Sequence, residues 1–173
     1  MMCTWLLAVF APAIAHSGGL YQTPEAFLAE IFKGTPPPPQ VVWLRGETRE
    51  TADEIMGHRY PGLRIRYWSK ERRSAWILDE IGKERPITTG LVINGNAIEL
   101  IRVLEYRESR GGEVRHPFFT DQFSGASLTD KYKIDRHIDG ISGATLSVRA
   151  LEKLARLALY LHGKTISPDD TAP

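Results

Sequence analysis

Between residues 63 and 106 the chain repeatedly alternates apolar with polar side chains, and that alternation predicts a meander of antiparallel strands. Leu63, Ile65 and Tyr67 are spaced by Arg64 and Arg66, the period of a half-buried strand. Residues 69–73 read as a polar hairpin tip, and residues 74–81 return as the next strand. Residues 87–93 form another, Asn94-Gly95 is a hairpin turn signal, and residues 97–106 complete the pair. Val41-Val42-Trp43-Leu44 adds a short buried strand.

Helical spacing flanks the meander on both sides. Residues 22–32 place Ala26, Phe27, Ile31 and Phe32 on one face, behind a Thr23-Pro24 start, and stop at Lys33-Gly34. Pro36 to Pro39 make a stiff polyproline connector. Residues 48–56 predict a short helix ending at Gly57, and residues 117–123 another. The last helix spans residues 146–162. Val148, Leu151, Leu154, Ala155 and Ala158 form its buried stripe, with Arg149, Glu152, Lys153 and Arg156 outside. The fold class is therefore α+β, an antiparallel sheet flanked by helices, with no internal repeat. The chain divides into a leader at 1–15, a helix and Pro-rich connector at 16–40, the main domain at 41–163 and a polar tail at 164–173.

Composition narrows the function. The 173 residues are 42% hydrophobic and 25% charged, with 22 basic against 21 acidic side chains and a net charge of +1. No polyelectrolyte signal or zinc-knuckle spacing points to nucleic acid. The first fifteen residues are uncharged and mostly apolar, ending in Ala13-Ile14-Ala15, the small-x-small pattern of a signal peptidase site. Export to the periplasm, with a mature chain beginning at His16, is the expectation. Cleavage there would remove Cys3, the single cysteine, so any redox role would need a cofactor independent of thiols. His58, His116, His137 and His162 show no metal-ligand spacing and no paired carboxylate.

Candidate chemistry concentrates in Asp139-Gly140-Ile141-Ser142-Gly143-Ala144-Thr145-Leu146-Ser147, which runs straight into the last helix. Small residues let backbone approach a ligand, and a helix start offers free N–H groups and partial positive charge to an anion. Ser142 also reads as a simple N-cap, with Gly143 and Ala144 as first-turn residues.

This run resembles the flavinylation motif of the FMN-binding domain family, which includes the covalent flavoprotein subunits of sodium-pumping and related membrane redox complexes. The resemblance extends over residues 76–159. It takes in Gly82-Lys83, Pro86-Ile87-Thr88, Asn94-Gly95, the loop from Glu105 to Val114, and Phe119-Thr120-Asp121-Gln122-Phe123, in the family's order. It implies FMN held as a phosphoester on Thr145, with Ser142, Gly143 and Ala144 around it and Asp139 carried over from the motif. Asp139 then hydrogen-bonds turn amides or stands as a solvated loop acid.

Glu108 matches the family's loop acid. Gly111-Gly112 present N–H groups to the flavin ring, or serve only as a turn needing positive φ. Glu108-Ser109-Arg110-Gly111-Gly112-Glu113 replaces the Glu-Thr-Pro-Gly-Leu-Gly of the pump subunits, which points to a soluble relative. Arg110 and Arg115 read first as solvated charge. The implied partners are a flavin transferase that moves FMN from FAD, and a membrane reductase or cytochrome. The implied role is an electron carrier; an FMN-dependent oxidoreductase acting on a small molecule and a flavin-free binding module are the competing classes.

Overall fold

The alternating segments fold into one six-stranded sheet of order β1-β6-β5-β4-β3-β2, antiparallel throughout, in a computed structural model that describes residues 19–165. The leader with Cys3, the expected cleavage site and most of the tail lie outside the described residues. The strands are β1 (Gly19–Leu20), β2 (Gln40–Trp43), β3 (Arg64–Lys70), β4 (Arg73–Ile81), β5 (Pro86–Asn94) and β6 (Ala97–Tyr106). The helices are α1 (Pro24–Ile31), α2 (Gly46–Met56), α3 (Pro117–Thr120) and α4 (Thr145–Thr165). The α+β class expected from the pattern is what forms.

Two hairpin turns differ from expectation by a residue or more. Pairing in the β3–β4 hairpin continues to Lys70 opposite Arg73, so the polar tip shrinks to Glu71 and Arg72. The β5–β6 turn is Gly95-Asn96, closed by Asn94 opposite Ala97, rather than Asn94-Gly95. Gly95 takes the positive φ of 60° that the first turn position requires. β1 has no sequence counterpart, because two residues are too few to show a period. It pairs Gly19 with Tyr106 and Leu20 with Glu105. With α1, it brings the segment assigned to a helix and connector into the same sheet structure.

One face of the sheet lies under α4 and α2. Trp76, Leu78, Leu91 and Ile93 pack there with Leu151, Leu154 and Ala158, and Tyr67 stacks on Trp76 at 4.8 Å between ring centroids. α4 is buried more widely than its stripe predicts: Ala150, Leu157, Leu159, Tyr160 and Leu161 are also inside. The cause is the loop after α3, whose Tyr132 meets Tyr160 edge-on and accepts a 2.6 Å hydrogen bond from Arg156 Nε through its carbonyl. Arg156, expected to face outward, is a tether.

On the second face α1 sets Phe27, Leu28 and Ile31 against Ala75, Val92 and Leu104. Thr23 caps α1, its hydroxyl accepting from Ala26 N at 3.2 Å. Gly90 is required beneath it, since a Cβ there would come within 2.6 Å of the Phe27 ring.

The far end of α4 is sealed by a buried relay. Trp76 Nε1 donates to Ser74 Oγ at 2.7 Å, and Ser74 Oγ meets His162 Nδ1 at 2.6 Å. His162 Nε2 lies 2.6 Å from the Gly95 carbonyl, which makes Nε2 the protonated nitrogen. Burial pushes the His162 pKa down, against the carbonyl contact that raises it.

Candidate functional site

The helix that carries the motif begins at the motif's threonine. Ala144 N donates to the Ile141 carbonyl at 3.0 Å, closing a turn with Ser142 and Gly143 at its tip. Gly143 has φ 82°, a conformation glycine adopts without steric cost. The Ala144 carbonyl accepts the first helical bond, from Val148 N at 3.0 Å. Thr145 is thus the first residue of α4 and is exposed. The N–H groups of Thr145, Leu146 and Ser147 have no intrahelical acceptor, and the dipole adds partial positive charge there.

A cleft of about 590 Å³ opens at this helix start. Its walls are residues 143–147 on one side, with Lys83, Glu84 and residues 108–110 on the other. The volume falls within the range of small-molecule and cofactor sites. A neighbouring hollow of about 430 Å³ shares residues 108–110 and is lined further by Tyr21, Tyr106, Gly111, Gly112, Arg115 and His116. The loop after β6 is therefore the wall between two depressions.

That wall is held by two devices. Tyr106 donates its hydroxyl proton to the Arg110 carbonyl and accepts from Ser147 Oγ at 2.8 Å. Gly111, with φ 84°, packs against this joint. A Cβ there would stand 2.9 Å from Tyr106 Oη, 3.0 Å from Ser147 Oγ and 3.3 Å from Ala144 Cβ. The second device is Glu108. Its Oε1 accepts from the backbone amides of Lys83, Glu84 at 2.6 Å and Arg85 at 2.9 Å, fastening the β4–β5 turn. Partial burial pushes Glu108 up, but the three amides together hold its carboxyl below the usual range.

The structure brings the expected site residues together only in part. Gly143, Ala144, Thr145 and Glu108 line one cleft, and Gly111 and Gly112 line the adjacent hollow. Ser142 and Asp139 line neither. The Asp139 carboxylate is 84% exposed and lies 3.4 Å from the equally exposed His137, not on turn amides. What holds this stretch is its backbone: Asp139 N donates to Gln122 Oε1 at 2.7 Å. Gln122 of the aromatic–Gln-Phe segment therefore anchors the loop that leads into the motif.

The histidines also differ from expectation. Besides His137 beside Asp139, His58 Nε2 lies 2.9 Å from the buried Glu80, which also meets Lys153 Nζ at 3.3 Å. The Arg59 carbonyl raises the His58 pKa first, partial burial opposes, and Glu80 adds to the rise.

Residues that sequence reasoning undervalued are Lys83, Arg110, Ser147 and Tyr106. Ser147 falls within the motif run, a signal that marks it without revealing its burial. Lys83 and Arg110 contribute the cleft's two cations, and nothing local separates them from solvated charge. Chemically, the cleft offers the exposed hydroxyls of Thr145 and Ser109, free helix-start amides and two cations, a set suited to a bound phosphate. Among the described residues no three His, Cys, Asp or Glu side chains converge to hold a metal ion. No helix among them is long and apolar enough to cross a membrane.

Residues 82–160 match the family model of the FMN-binding domain. Among solved structures, the fold is similar to NqrC of Shewanella oneidensis, at 16% identity and a TM-score of 0.56, covering 83% of this chain and 86% of that one. It is also similar to a subunit of the Na(+)-translocating NADH-quinone reductase from Parabacteroides distasonis, at 16% identity and a TM-score of 0.54, covering 89% and 90%. No curated protein matches the sequence.

Proposed function

We propose, from the match of residues 82–160 to the FMN-binding domain family, that this protein carries FMN as a phosphoester on Thr145 and transfers electrons outside the cytoplasm. One observation carries the choice of residue. Of the two hydroxyls in the first turn of α4, that of Ser147 is buried and bonded to Tyr106, whereas Thr145 stands exposed on the cleft rim. Attachment needs an oxygen that a transferase can reach, and Thr145 meets that need.

The surrounding residues fit the group. First-turn amides and the α4 dipole would hold the phosphate's remaining charge, contributing about 1 kcal/mol. Lys83 and Arg110, across the cleft, supply cations for the same charge. Leu146, 44% exposed beside Thr145, offers an apolar surface to a flat ring. Glu108 keeps the β4–β5 turn, and so Lys83, in place. Bound FMN supplies reversible electron storage, which no side chain in this cleft provides.

We read the protein as a carrier rather than a catalyst: of the two carboxylates lining the cleft, Glu108 is committed to three backbone amides and Glu84 is exposed beside Lys83. A flavin transferase would mature it, and a membrane reductase or cytochrome in the periplasm would exchange electrons with it. The test is co-expression with a flavin transferase, followed by intact mass. A gain of FMN less one water on the wild-type chain, and none on Thr145→Val, is the expected result. No gain on the wild-type chain overturns the reading.

A further inference from the structure

On the second face of the sheet α1 covers Ala75, Val92 and Leu104, with Trp68 of β3 packed at the margin. Beyond it, register sets Val41 opposite Arg66 and Trp43 opposite Arg64, so these four side chains share one open face. Ile65 and Tyr67, between the arginines, are buried on the other side. Val41 is 38% and Trp43 46% exposed, while Trp68, the next residue of this face on β3, is half-buried against the α1 cluster and bounds the patch. Arg45, entering α2, places its guanidinium 4.6 Å from the Trp43 ring centroid, and Arg64 lies 5.8 Å from it. Among the described residues, no carboxylate comes within ion-pair distance of Arg45, Arg64 or Arg66. Three arginines without an ion-pair partner thus gather beside Trp43.

We propose that this β2–β3 face docks an acidic protein surface. Three features select that occupant. Guanidinium groups bind carboxylates through two parallel hydrogen bonds, and all three cations beside Trp43 are arginines. Arginine and tryptophan together mark the energetic centres of protein interfaces, whereas lysine is depleted there. Trp43 lies on a flat strand with guanidinium groups over its ring, so it is poorly placed to insert into a bilayer. The position is also telling. Tyr67 pairs with Trp76, so antiparallel β3 carries Arg64 toward the Ile81 end of β4, where the turn that lines the cleft begins. An acidic partner seated here would sit at the cleft's end of the sheet.

The test is a titration of the isotopically labelled full chain with a glutamate decapeptide, followed by backbone and indole amide shifts, and in parallel with vesicles containing phosphatidylglycerol. The expected result is shifts that gather at Trp43, Arg64 and Arg66 and weaken with added salt. Arg64→Ala with Arg66→Ala should lower the affinity about tenfold at an unchanged unfolding midpoint. Arg66→Glu should weaken it further. Shifts that gather instead at Lys83 and Arg110, an affinity indifferent to the arginine variants, or shifts of Trp43 produced by the vesicles would each overturn the proposal.

Discussion

The two ends of α4 answer opposite demands. At its C-terminal end a buried relay ties the helix down: Trp76 donates to Ser74, Ser74 to His162, and His162 to the Gly95 carbonyl, while the nearby Tyr160 hydroxyl is buried unpartnered. At its N-terminal end Thr145 is exposed, the first-turn amides have no helical acceptor, and a cleft opens beside them. Ser74, Ser147 and Thr145 carry the same functional group, yet two are consumed by neighbours and one is free. A hydroxyl's surroundings, more than its type, separate a structural role from a chemical one.

Disturbing the packed joint behind the open end should have the largest effect. Gly111→Val forces a β-branched residue to φ 84° and drives its side chain into Tyr106 and Ser147. A loss of about 2–4 kcal/mol is expected in urea unfolding. Gly112→Val, whose nearest obstacle is the flexible Arg115 guanidinium at 3.4 Å, should lose less than about 1 kcal/mol. Equal losses would mean that the two glycines share a turn role and that the joint is not special.

Next comes the sealed end. Ser74→Ala leaves Trp76 Nε1 and His162 Nδ1 buried without partners and should cost about 1–3 kcal/mol. Ser147→Ala should cost less, near ~1 kcal/mol, because Tyr106 keeps its bond to the Arg110 carbonyl. A reversed order in denaturant midpoints would remove the contrast between the two ends.

Acid should loosen the sealed end. The folded-state pKa of His162 is depressed by burial below its ordinary value of 6.5, so the unfolded chain binds the proton more readily. The stability His162 contributes is therefore complete above pH 6.5 and is lost as pH falls toward the folded value. His58, raised by the Arg59 carbonyl and Glu80, acts the other way: its contribution is present at low pH and is lost as pH rises through its folded pKa. Comparing His162→Gln with wild type isolates the first effect. The variant should lose less stability between about pH 7.5 and 5, and parallel pH profiles would count against a buried neutral His162.

The smallest effect on stability should accompany the largest effect on chemistry. Thr145→Val, at an exposed position, should shift unfolding by no more than about 0.5 kcal/mol while abolishing covalent flavin. Flavin fluorescence retained by this variant on a denaturing gel would separate the open end from the attachment site.

The strands were legible in the sequence because alternation is a local consequence of one buried and one exposed face. The start of α4 was legible for a similar reason, since Gly143 and the apolar stripe are near neighbours in sequence. Contacts with remote partners were not legible. Of the two readings open for Asp139 its exposed carboxylate fits the solvated one, while Gln122 anchors its amide from 17 positions earlier. Glu108 was matched to the family's loop acid, and the structure spends its carboxylate on the β4–β5 turn. Arg156 looked like a solvent-facing helix residue until the loop carrying Tyr132 closed over it.

By itself the sequence determined strands β2 to β6, the flanking helices and the motif at which a phosphate-bearing group is expected, all of which follow from periodicity and small residues in short windows. Only the tertiary structure decided that Ser147 of that motif is withdrawn while Ser142 and Thr145 stay exposed. Ser147 is withdrawn by Tyr106, 41 residues away, just as His162 is satisfied by Ser74 across 88. Burial and hydrogen-bond satisfaction are properties of groups brought together in space, and no local pattern records them.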